Sequence, residues 1–136
     1  MKSLYLAIIC FILLSCNSSH SEIKRTIIDP NDASEMALLM RQMSDDLDII
    51  KNKILNGEDI IGDQLQFSQI HKMKTTDESF LSEGLNQMSI GFDLVVNNFN
   101  ENPSRDNYNT IVNNCIGCHK GMCPGPLSRI NNLILD

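Results

Sequence analysis

Near the C-terminus the chain reads Cys115-Ile116-Gly117-Cys118-His119. A Cys-x-x-Cys-His run of this spacing is the attachment pattern for a c-type haem. Residues three and four apart share one face of a helix, so Cys115, Cys118 and His119 would project together. Two thiols so placed can add to the two haem vinyl groups as thioethers, and the imidazole can ligate the iron as the proximal partner. The competing chemistry is a zinc site built from Cys115, Cys118, His119 and Cys123. Zinc would require two consecutive residues, Cys118 and His119, to meet one ion, although they diverge on a helix. The spacing therefore favours one covalent haem c, with His119 as proximal iron ligand.

The position of the motif limits the second axial ligand. The only methionine after His119 is Met122, three residues on. It cannot swing to the opposite side of a haem that His119 holds from the near side. Upstream candidates are Met36, Met40, Met43, His71, Met73 and Met88. Methionine is also a common flexible filler of cores, which is the plainer reading of any one of them. His71 lies between Ile70 and Lys72 in a polar stretch and reads as solvent-facing or hydrogen-bonded. Arg41, Arg105, Lys120 and Arg129 are candidates for pairing haem propionates.

Lys2 followed by the apolar run Leu4 to Leu14 reads as an export leader, too short to span a bilayer as a helix. It ends in Leu13-Leu14-Ser15-Cys16, which resembles the lipobox of bacterial lipoproteins. That resemblance implies cleavage after residue 15, lipidation of Cys16, and a periplasm-facing protein anchored in the envelope of a Gram-negative bacterium. The alternative is an unlipidated secretory leader cleaved nearby. Export suits haem c, which is attached outside the cytoplasm. Of the five cysteines, Cys10 leaves with the leader, Cys16 takes lipid, and Cys115 and Cys118 take haem. Cys123 is left over: an odd cysteine in an exported protein suggests a free thiol or an intermolecular bridge, and a small buried hydrophobe is the preferred reading.

Removing residues 1–15 leaves 121, enough for one domain with one core. Lys2 is the leader's only charge, so its loss takes the net charge from −6 to −7. An acidic surface argues against nucleic acid and favours redox partners with basic docking surfaces. A homodimer is compatible with it.

Residues 16–31 are polar and read as a tether, and 32–136 as the domain. With Asp32 as N-cap, Met36, Met40, Met43, Leu47, Ile50 and Ile54 recur at helical steps, and Gly57 closes the helix. Residues 58–75 read as a loop with a short helix beginning at Asp63. Thr75 and Glu78 resemble a capping box opening a helix that carries Leu81, Leu85, Met88, Phe92, Val95 and Phe99. The haem-motif helix starts at Ser104 and is stopped by Gly121 and Pro124-Gly125-Pro126. Leu127, Ile130 and Ile134 suggest a last amphipathic turn or two. No segment alternates with a strand's period. The expectation is all-α, an antiparallel four-helix bundle with short connections and a covalent haem on the C-terminal helix.

This layout resembles the cytochrome c′ and cytochrome c-556 group of four-helix haem proteins. The resemblance rests on Cys115, Cys118, His119 and the basic Lys120 on a late helix. The chain departs from the group in its weak second helix and its continuation past the haem helix. The resemblance implies that the first helix covers the distal side. In the group the distal residue lies about four turns before the Gly-Glu pair that closes that helix. Here that pair is Gly57-Glu58, which points to Met40 as distal iron ligand, with Met43 second. Two functions follow as expectations. An electron carrier would have His/Met-ligated iron, whereas a five-coordinate protein would bind nitric oxide or carbon monoxide. The carrier is favoured and no enzymatic activity is expected.

Overall fold

The computed structural model describes residues 32–136. The leader, Cys16 and the tether lie outside them.

Helix α1 spans Glu35–Asn56. Its N-cap is Ser34 rather than Asp32: the Ser34 hydroxyl accepts from the Ala37 N–H at 3.2 Å. Gly57 ends it at φ 70°, in the left-handed region that only glycine enters freely, and the Gly57 and Glu58 N–H groups close on Ile54 and Lys53. Leu39, Met43, Leu47 and Ile50 form its buried face at steps of four, four and three.

The short helix expected from Asp63 does not form. Between α1 and the next helix the chain makes only two 3-10 turns, Ile70–Lys72 and Glu78–Phe80. The reason is a long-range clamp. The Asn100 side-chain oxygen accepts from the Leu65 N–H at 2.9 Å, and its amide nitrogen donates to the Leu65 carbonyl at 2.8 Å. That side chain satisfies both polar groups of Leu65 as a neighbouring strand would, so no helical partner is needed. Leu65 is thereby buried, and Phe67 tilts against Phe92 at 6.1 Å between ring centroids. Asn100→Ala is expected to destabilise the protein by about 1–3 kcal/mol by orphaning both groups. Urea unfolding measures it, and a loss below that range would show that water satisfies the loop instead.

Helix α2 spans Glu83–Glu101 and starts later than expected. Asp77, not Thr75, acts first: its carboxylate accepts from the Ser79 N–H at 2.8 Å and sets a 3-10 turn. The backbone and hydroxyl of Ser79 hold the exposed Asp77 carboxyl below its ordinary range. Ser82 is the true cap, accepting from the Leu85 N–H at 3.3 Å. Leu85, Ser89, Phe92, Val96 and Phe99 form the buried face. Leu81 and Met88, expected inside, are exposed. Asn102 precedes Pro103 and leaves the helical region, which ends α2.

Helix α3, Arg105–Met122, begins as expected at Ser104, whose hydroxyl accepts from the Asn107 N–H at 3.1 Å. Tyr108, Ile111, Val112 and Ile116 are buried. A five-residue helix α4, Leu127–Asn131, follows. The chain then returns along α3. The buried Tyr108 hydroxyl donates to the Leu133 carbonyl at 2.8 Å, and the Asn109 side chain bonds both the N–H and the carbonyl of Leu135.

Among the described residues the protein is all-α, with four α-helices and no strand. No described helix is long and apolar enough to cross a membrane. Helix α2 packs closely on α3 and α3 on α4, whereas the backbone of α1 approaches none of them as closely. That stand-off leaves the space in which the candidate site lies.

Candidate functional site

A cavity of about 380 Å³ opens beside α3. Helix α3 contributes Cys115, Cys118, His119 and Met122 to its wall, and α1 contributes Met36, Met40 and Met43. Its size lies within the range usual for small-molecule and cofactor sites, as does its mostly apolar lining. Residues 75 positions apart in sequence thus face one space. The rest of the wall comes from segments whose part was not foreseen: Thr76 and Phe80 from the loop, and Pro126, Ile130 and Leu133 from the C-terminal segment.

The two thiols are free and half-buried. Burial, and secondarily the nearby Cys118, pushes the Cys115 thiol up to about 12. Cys118 is raised by burial and then by Cys123. Among the described residues no three His, Cys, Asp or Glu side chains are grouped to hold a metal ion. The zinc arrangement of Cys115, Cys118, His119 and Cys123 is therefore not assembled.

His119 Nδ1 lies 2.9 Å from the carbonyl oxygen of Cys123. A carbonyl only accepts, so Nδ1 is the donor, and in the neutral ring Nε2 is then the nitrogen left with a lone pair for a metal. Met43 is 4% exposed and belongs to the core, while Met40 is half-buried beside it. Both also line a second cavity of about 30 Å³, together with Ser89, Asn114 and His119.

Of the basic candidates, Arg41 and Arg129 stand in the main cavity wall, which holds no carboxylate side chain. Arg129 bonds Ser44 Oγ at 2.9 Å and Asp45 at 2.6 Å. Arg105 instead ties the backbone carbonyl of Asp136, and Lys120 is exposed outside the wall. His71 is set apart: its Nδ1 pairs with the buried Ser89 hydroxyl at 3.0 Å, and it lines neither cavity. Met73 packs against the core, and Met88 touches only the smaller cavity. Cys16 and His20 lie outside the described residues.

A c-type haem fits these residues. Two thiols, an imidazole whose Nδ1 is tied back to Cys123, apolar walls and Arg41 and Arg129 at the rim, the latter already bonded to Asp45, suit a large apolar ring bearing carboxylates. No protein-family model, curated protein or solved structure matches the chain.

Proposed function

We propose that the protein is an electron-carrying c-type haem protein that resembles the cytochrome c′ and c-556 group, with three long helices and an extended strap in place of the group's second helix. One observation carries the reading: the Cys-x-x-Cys-His face of α3 and the methionine face of α1 border the same apolar cavity. Cys115 and Cys118 hold the porphyrin edge through thioethers. His119 Nε2 and Met40 would supply the two iron donors. Met40 is preferred to Met43 because its side chain is not fully committed to the core. Arg41 and Arg129 pair with the propionates. Bound haem c supplies a one-electron iron couple, and a thioether donor raises its potential.

The remaining expectations join this proposal. Export ends in lipidation at Cys16, which anchors the domain to the periplasm-facing membrane surface. The acidic chain docks basic redox partners, does not bind nucleic acid and catalyses no reaction of its own; a homodimer is compatible with this. Mass spectrometry of the mature N-terminus is expected to find a diacylglycerol-modified cysteine at residue 16. An unmodified N-terminus elsewhere would leave the protein freely soluble.

The small cavity favours a second reading. At about 30 Å³ it has room for a water-sized or diatomic molecule beside Met40 and Met43, and a five-coordinate nitric oxide or carbon monoxide binder would need such space on the side away from His119. The visible spectrum of the purified ferric and ferrous protein decides between the two. Low-spin iron that ignores carbon monoxide supports the carrier. High-spin iron that binds it quickly supports the gas binder.

A further inference from the structure

We propose that Pro124 is a positioning residue for His119, acting through the carbonyl of Cys123; the inference rests on the haem reading above. Helix α3 ends at Met122, and Cys123 sits at φ −149°, ψ 80°. Its N–H still closes on the His119 carbonyl at 3.2 Å, but its own carbonyl turns back to within 2.9 Å of His119 Nδ1. In a continuing helix the Cys123 carbonyl would point down the axis to the N–H of residue 127. Here the Leu127 N–H goes to Pro124 instead, at 3.1 Å.

Pro124 is the cause. Its ring excludes the preceding residue from the α region and drives it extended. It also has no N–H with which to extend the helix. The turned carbonyl is then held in place. The Arg129 and Ile130 N–H groups both close on Pro126, and Tyr108 and Asn109 fasten Leu133 and Leu135 to α3. Cys123, left over in the thiol accounting, thus serves through its backbone, and its thiol needs no role.

The consequence concerns the iron. A carbonyl accepting from Nδ1 fixes the tautomer and makes the imidazole a stronger donor. A stronger donor favours the ferric state and lowers the reduction potential. Loss of the bond therefore raises the potential. Simple loosening of the fold would admit water beside the haem and lower it, so the sign separates the two roles.

The test compares the holoprotein with its Pro124→Ala variant, and with Pro124→Gly should the first not accumulate. The expected result is a higher reduction potential with haem still attached. In the ferrous wild type the His119 Nδ1 proton is expected to exchange slowly with solvent, and at least about fivefold faster in the variant, as loss of one net hydrogen bond implies. An unchanged or lowered potential, or a freely exchanging Nδ1 proton in the wild type, would overturn the proposal. Absence of covalent haem from the wild type would overturn the underlying reading first, and the haem content recorded on each sample makes that failure distinct.

Discussion

Cys115→Ala combined with Cys118→Ala is expected to abolish covalent haem while leaving the helical fold in place. Each thiol supplies one thioether, so either single change should leave haem on one bond, and the double change on none. The fold should survive because the core lies elsewhere: Phe99, Tyr108, Ile111 and Val112 are fully buried, whereas both cysteines are only half-buried. In-gel haem staining of the denatured protein reads attachment, and far-UV circular dichroism reads the fold. Haem staining that persists in the double variant would remove both cysteines from the site. A zinc site would give a different pattern, with metal content lost and no stain in the wild type either.

The second large effect separates two neighbouring methionines. Met40→Ala is expected to remove the near-infrared sulfur-to-iron band of the ferric protein and open the iron to carbon monoxide, at modest cost in stability. Met43→Ala is expected to keep the band and cost about 2–5 kcal/mol, because a core side chain that is 4% exposed leaves a cavity when truncated. Spectra and urea unfolding of the same two samples measure both effects. The reverse pattern would move the distal ligand to Met43. A wild type without the band would return attention to the small cavity beside Met40 and Met43 and to the gas-binding reading.

Much of this arrangement was legible in the sequence because it is local. The step of three and four from Met36 to Ile54 announced α1, and Ser104 with the proline-glycine stop bounded α3. Periodicity also placed Met40 and Met43 on the inward face, and the motif's own spacing put Cys115, Cys118 and His119 on one face. What escaped is set by distant partners. Nothing within residues 57–72 reveals that Asn100, 35 positions on, holds Leu65 in an extended chain. The start of α2 was misread because Thr75 and Glu78 satisfy a capping pattern, while Asp77 and Ser82 satisfy the backbone itself. The C-terminal segment was seen as amphipathic, but its place in the cavity wall depends on Tyr108 and Asn109, which no spacing rule links to Leu133 and Leu135. The Cys123 carbonyl carried one local signal: a proline directly after the expected helix end. That signal forecast a stop without showing where the freed carbonyl would turn.

The segment between α1 and the first 3-10 turn is clamped by Asn100 at Leu65, and beyond α3 the residues Ile130 and Leu133 line the cavity.

Covalent attachment is decided by the intact mass of the wild-type protein, exported from a host that matures c-type cytochromes and extracted with acidified acetone. The account predicts a polypeptide heavier by one haem, with the haem colour remaining in the protein pellet and neither Cys115 nor Cys118 open to alkylation. A chain of unmodified mass at the C-terminal region, with both thiols alkylated and all colour in the acetone, would contradict it.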